Sequence, residues 1–471
     1  MYNPLSTHAD EFIDHAEVLE TLAEAARKSS DKQVVRGILE KAALQKGLSH
    51  REAAILMDCD DPALEAQLYA LAAEIKQRFY GNRIVLFAPL YLSNYCINGC
   101  VYCPYHAKNH SIPRKKLSQD EIAEEVRALI RTGHKRLALE AGEDPVHNPL
   151  DYILDSIRTI YGVREGGNSI RRVNVNIAAT DVESYRKLKN AGIGTYILFQ
   201  ETYDKAKYQQ LHPTGPKSNY DWHTEAMDRA QEGGCDDVGV GVLFGLGGYR
   251  YELAALLMHA EHLEARFGVG PHTISMPRIC PADDVSLDSF PDALPDAIFR
   301  KLVAVLRVSV PYTGMIISTR ESARMREQLL ACGVSQISGG SRTSVGGYTT
   351  EVRHDETAQF DVSDTRSLDE VVRWLLETDH IPSFCTACYR EGRTGDRFMA
   401  LCKSGKISLC CTPNALMTLK EYLMDFATPE TRTIGEKLIA RSLTDIPEGR
   451  VRDLTVERLQ AIENGSRDFR F

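Results

Sequence analysis

The sequence predicts an α/β fold: a full (β/α)8 TIM-type barrel with helical N-terminal and C-terminal extensions. Three observations carry that expectation. Eight short β-rich runs alternate with helical patterns between residues 83 and 338, a span that suits a closed barrel. An open doubly wound sheet gives the same alternation, but no GxGxxG follows the first run, so a dinucleotide-binding sheet loses ground. The flanks lack the alternation and read as helices. The expected organisation is a helical extension over 1–82, the barrel over 83–345, and a mostly helical C-terminal domain over 346–471 carrying a second cysteine group.

The elements follow in order. "SHREAAILM" sets Ser49 three residues before Glu52, a capping box ahead of an apolar run. The strand candidates are "RIVLFAPL" (83–90), "KRLALE" (135–140), "RRVNVNIA" (171–178), "TYILFQ" (195–200), "DVGVGVLF" (237–244), "HTISMP" (272–277), "GMIIST" (314–319) and "VSQIS" (334–338). The clearest helix between them is "SQDEIAEEVRALIRTG", with Ser118 and Glu121 as a capping box and Gly133 as its stop.

Composition narrows the class. Hydrophobic residues make up 43% and charged residues 26%, the mix of an ordinary globular protein. A net charge of −9 argues against a broad footprint for nucleic acid or an anionic membrane. The first residues are polar and acidic, unlike a signal peptide, and no apolar run reaches the length of a membrane span. A soluble, cytoplasmic protein is expected.

Six of the twelve cysteines fall in two groups, Cys96, Cys100, Cys103 and Cys385, Cys388, Cys411. Cys402 and Cys410 lie near the second. Cys59, Cys235, Cys280 and Cys332 are scattered and read as buried small hydrophobes. In a reducing compartment clustered thiols point to metal or redox chemistry. "CINGCVYC" follows the first strand candidate, at what would be the C-terminal mouth of a barrel, where active sites are built. Three thiols can ligate three irons of a 4Fe-4S cluster and leave the fourth iron open. Zinc would need a fourth ligand, for which His106 or His110 could serve.

CxxxCxxC after such a strand resembles the radical S-adenosylmethionine (SAM) superfamily. The resemblance implies that SAM binds the open iron of a 4Fe-4S cluster and is split to a 5′-deoxyadenosyl radical. It further implies that Tyr102 lies near the adenine. In "LEAGEDP" it assigns Ala141, Gly142, Glu143 and Asp144 to the segment that binds the SAM ammonium. Asn174, Asn176, Gln200 and Glu201 could reach ribose or substrate, and alternation alone does not decide which face they use.

The tail stretch "CTACYREGRTGDRFMALCKSGKISLCC" again sets three thiols without an obvious fourth. Together with "RRVNVNIAAT", "LFQETY", "GPHTISMPR" and "YTGMIISTRE", it resembles the family of tyrosine lyases that mature FeFe-hydrogenases. The thiamine-pathway tyrosine lyases share the barrel and lack the tail motif. The resemblance implies cleavage of the Cα–Cβ bond of L-tyrosine to p-cresol and dehydroglycine. It implies conversion of the latter to CO and cyanide at an auxiliary 4Fe-4S cluster with an extra labile iron that binds free L-cysteine. Implied partners are an electron donor of flavodoxin or ferredoxin type and other hydrogenase maturases. The family's spacing favours Cys411 over Cys410 as third tail ligand, with Cys402 a weaker third choice. For the substrate carboxylate it points to Arg320, with Ser338 or Ser341, although Arg320 could instead pair with Glu321 or a neighbouring helix. For the extra iron it points to His272, with His259 and His262 as alternatives. The readings kept beside it are dehydroglycine synthesis for thiamine and a non-catalytic iron–sulfur carrier.

Overall fold

A computed structural model describes residues 1–350, 357–404 and 407–471. All eight expected strands form: β1 (Arg83–Ser93), β2 (Arg136–Ala141), β3 (Arg172–Asn176), β4 (Tyr196–Glu201), β5 (Val238–Val242), β6 (Thr273–Ser275), β7 (Gly314–Ile317) and β8 (Gln336–Ser338). They pair in parallel and in order, and β1 pairs with both β2 and β8, so the sheet closes into a barrel. Helices cover the outside, where strand residues such as Val238, Val240 and Val242 are fully buried. The inward positions of β5 are glycines. A Cβ on Gly239 would lie 2.6 Å from Thr273 Oγ1, and one on Gly241 would lie 2.7 Å from the Phe199 ring. One wall of the bore is therefore bare backbone.

The N-terminal residues form helices as expected, among them 15–28, 50–58 and 62–80. Both expected capping boxes are present, Ser49 with Glu52 and Ser118 with Glu121. This extension packs on barrel helices 249–267 and 296–309. Its polar pin is His50, whose ring nitrogens lie 2.9 Å from Glu17 and 2.8 Å from Glu261.

One strand escaped the sequence reading. Residues Ile381–Ser383 form β9, which pairs in parallel with Arg83–Val85 of β1. Three residues with a proline in the middle carry no strand signal of their own; the pairing partner creates the strand. Val85 pairs with Gln336 on one side and Ser383 on the other. So β9 takes the lower part of the β1 edge whose upper part, from Ala88, pairs with β2.

Helices 368–377, 395–403, 408–425, 429–444 and 450–463 follow around this strand. Lys135 Nζ meets Glu421 Oε2 at 2.7 Å, with both side chains all but fully buried, and Arg171 reaches the same oxygen at 2.9 Å. That triad ties helix 408–425 to the lower rim of the barrel. Among the described residues no helix is long and apolar enough to cross a membrane.

Candidate active site: two thiol-lined cavities in one barrel

The upper cavity opens at the C-terminal ends of the strands. Cys96, Cys100 and Cys103 line it, with Tyr102, Ala141, Gly142, Glu143, Glu201 and Lys217. Backbone bonds fix the cysteine loop: Ile97 N donates to Glu143 O at 2.9 Å, Gly99 N to Thr214 O at 2.9 Å and Val101 N to Leu211 O at 3.0 Å. Asn98 braces it from within, donating to Glu143 Oε2 at 2.6 Å and accepting from Lys217 N at 2.9 Å. Any side chain at Gly142 would run into the Tyr95 carbonyl, so glycine permits this close approach of loop and strand end.

Burial pushes the Cys100 thiol up to about 12 and the Cys103 thiol up to about 11, and raises Cys96 as well. Three buried thiolates need a cationic partner, which iron supplies. Among the described residues no three His, Cys, Asp or Glu side chains close on one point as a single ion demands. A cubane takes each thiolate on a separate iron, so the donor set fits a 4Fe-4S cluster. His106 sits 3.3 Å from Asp284 and His110 is exposed; neither lines the cavity.

The expected SAM-segment residues separate. Tyr102 lines the cavity with its hydroxyl 2.7 Å from His212 Nε2. Ala141, Gly142 and Glu143 line it too. Asp144 does not: its carboxylate accepts from Val146 N and His147 N, both at 2.9 Å, and is used up in shaping its own turn. Asn176 and Glu201 face the cavity. Asn174 instead accepts from Arg172 Nε at 3.0 Å below, and Gln200 donates to Thr224 at 2.9 Å outside. Lys217, absent from the sequence reading, donates to Glu201 Oε1 at 2.9 Å.

Deeper in the barrel a second cavity adjoins the first. Arg320, Ser338 and Ser341 all line it. The Arg320 guanidinium lies 3.5 Å from the centre of the Phe360 ring. It does not pair with Glu321, which accepts from Arg278 Nε at 2.9 Å, and it forms no ion pair among the described residues. Ser341 Oγ is buried without a hydrogen-bond partner among them.

The lower cavity lies at the opposite end of the bore. It collects Cys385, Cys388, Cys402, Cys411 and His272. Cys410 is left outside the lining, since adjacent helical positions point about 100° apart. Cys402 stands beside the other three. His272 Nδ1 is buried without a hydrogen-bond partner and lies 3.4 Å from Asp237 Oδ1. An imidazole that shares a cavity with four thiols fits an iron site. His259 and His262 sit elsewhere: His259 meets Tyr203 at 2.8 Å, and His262 meets Asp228 at 3.0 Å, facing the N-terminal extension.

Three arginines that sequence reasoning missed also line this cavity: Arg83, Arg136 and Arg172. Arg136 donates to Cys385 O at 2.9 Å, and burial pulls it down to about 9. Each opens a strand at its N-terminal end, but only closure of the barrel brings the three together.

Known proteins share this fold and much of this sequence. Residues 90–259 match the model of the Radical SAM superfamily, and residues 275–381 match the Biotin and Thiamin Synthesis associated domain. The chain is 31% identical to 2-iminoacetate synthase of Escherichia coli over 313 residues, covering 66% of this chain and 79% of that protein. A crystal structure of HydG, described as a maturase of the [FeFe]-hydrogenase, is 54% identical with a TM-score of 0.94, covering 98% of this chain and all of that one. HydG from Carboxydothermus hydrogenoformans is 38% identical with a TM-score of 0.82, covering 96% and 99%.

Proposed function

The chain belongs to the radical SAM superfamily and, within it, to the HydG maturases, and from that premise we propose that it is a tyrosine lyase that makes CO and cyanide for the FeFe-hydrogenase active site. The observation that carries this reading is the pair of thiol-lined cavities at the two ends of one bore.

Cys96, Cys100 and Cys103 would hold a 4Fe-4S cluster, which with SAM would supply a 5′-deoxyadenosyl radical. Glu143 holds the SAM ammonium and Tyr102 packs near the adenine. Arg320 grips the tyrosine carboxylate with help from Ser338 or Ser341. Phe87, Phe199 and Phe360 wall the inner cavity and keep water from the ring. Tyrosine loses a hydrogen atom from its amino group, its Cα–Cβ bond breaks, the ring departs as p-cresol, and dehydroglycine remains. Dehydroglycine then moves down the bore past Gly239 and Gly241. Arg83, Arg136 and Arg172 draw its carboxylate into the lower cavity. Cys385, Cys388 and Cys411 would hold an auxiliary 4Fe-4S cluster, and His272 with free L-cysteine would hold a labile iron, which would supply a binding place for CO and cyanide. The work takes place in the cytoplasm, with electrons from a flavodoxin or ferredoxin and hand-over to other hydrogenase maturases.

Anaerobic reconstitution with iron and sulfide, then reductant, SAM and L-tyrosine, tests the reading. Expected products are 5′-deoxyadenosine, p-cresol, CO and cyanide. Cresol without CO or cyanide would favour dehydroglycine synthesis alone, the activity named for the E. coli relative. Cluster transfer to another protein with no SAM cleavage would favour a carrier.

A further inference from the structure

The inner cavity has an unusual charge inventory. Among the described residues that line it there is one cation, Arg320, and one carboxylate, Glu140. All other lining groups are apolar or neutral. The two charges do not pair with each other, and Glu140 forms no ion pair elsewhere among the described residues. Alternation along β2 turns Glu140 inward with Ala138, and the β2–β3 register sets it beside Asn176, which lines the same cavity. Glu140 also lines the upper cavity that the three cysteines share. It therefore stands on the wall where the two spaces meet.

An α-amino acid enters as a zwitterion, which one cation and one anion match. We propose that Glu140 is a catalytic residue: it binds the substrate ammonium opposite Arg320 and carries one proton from that ammonium to the departing ring. The proposal rests on the tyrosine-lyase reading above. The steps balance as follows. The ammonium gives H⁺ to the Glu140 carboxylate and becomes a neutral amine. The amine loses a hydrogen atom to the deoxyadenosyl radical. The Cα–Cβ bond breaks, giving HN=CH–COO⁻ and a 4-hydroxybenzyl radical. That radical takes one electron from the same flavodoxin- or ferredoxin-type donor and the proton from Glu140, and becomes p-cresol. Glu140 ends as it began. Burial pushes its carboxyl well above the ordinary carboxylate range; an ammonium bound beside it favours the ionised form, and the same burial makes that carboxylate basic enough to take and keep the proton. The groups that face it are Arg320 after β7, Glu201 on β4, Asn176 on β3 and Tyr91 on β1.

The test compares Glu140→Gln and Glu140→Asp with the wild type after cluster reconstitution. In Glu140→Gln, cresol turnover should fall at least about 100-fold, the usual contribution of a positioned acid–base group. The KM for tyrosine should rise as well. Turnover should recover partly as pH rises and free tyrosine loses its own ammonium proton. Glu140→Asp should restore much of kcat and the wild-type pH profile. Wild-type kcat, KM and pH profile in Glu140→Gln would overturn the assignment. An aspartate variant as poor as the glutamine variant, with the reduced cluster's EPR signal intact in both, would also overturn it. Absence of cresol from the wild type itself would sink the lyase reading instead.

Discussion

The two ends of the barrel each gather thiols, yet their surroundings carry opposite charge. Glu140, Glu143 and Glu201 line the upper space against Lys217 and Arg320. Arg83, Arg136, Arg172 and His272 line the lower one, and no carboxylate does so among the described residues. Cationic groups suit the first space and small anions the second. The supports differ too. Backbone bonds to strand ends fix the upper loop. Side-chain clamps from the last residues hold the lower one: Arg390 meets Asp468 at 2.5 and 2.6 Å, Arg393 donates to Phe471 O, and Phe471 N donates to Asn414 at 2.9 Å. Clustered thiols thus recur at both ends of the barrel, three above and four below, and the charges beside them differ.

The sharpest way to break this comparison is to remove one thiol at each end. Cys100→Ser should abolish 5′-deoxyadenosine, cresol and CO together. Cys388→Ser should leave cresol within about twofold, as expected of distant sites, while CO is lost. Loss of cresol in both would show that the ends do not work separately.

Charge comes next. Arg136→Met should lower CO and cyanide yields roughly 10- to 100-fold, the worth of a charge-assisted bond of about 1.5–3 kcal/mol. Cresol formation should hold. An equal fall in cresol would deny the lower arginines a separate role.

Gly241→Val probes the bore between the ends. Crowding against Phe199 should cost about 1–3 kcal/mol and cut CO yield several-fold, with glyoxylate from hydrolysed imine appearing in solution. Unchanged CO would place the route elsewhere.

The smallest effect concerns neither end. Burial pulls the His50 imidazole down, but Glu261 and Glu17 overcome this and hold it above its ordinary value. A raised folded-state value stabilises fully below the unfolded value of about 6.5, and that stabilisation fades as pH rises through the folded value. The thermal midpoint of the wild type should decline relative to His50→Gln above about pH 6.5 by a few degrees at most. Parallel curves would remove this pin from the account.

Much of this was legible in the chain because the strands alternate and the thiols are regularly spaced. The eight strands, both capping boxes and the two cysteine groups needed only local pattern. Which tail cysteines share a cavity did not, since Cys410 and Cys411 are neighbours, the helix through them turns only Cys411 inward, and Cys402 joins it there. Asp144 read as part of the glycine segment, but its oxygens serve a turn that spacing does not reveal. Arg136, Arg172 and Glu140 were hidden differently. Each belongs to a strand that was recognised, and its role depends on the register across the barrel, which lies outside any one strand. β9 was invisible for the reason already given: its partner makes it.

That short strand also sets an order in time. β9 pairs with β1 alone, on an edge defined by residues nearly the whole barrel distant in sequence. Pairings between such remote segments form late, because loop closure must come first. The basin beneath the bore is therefore among the last parts to exist. Until the barrel has closed, Cys385 and Cys388, which follow β9, have no cavity to share with Arg83, Arg136 and Arg172.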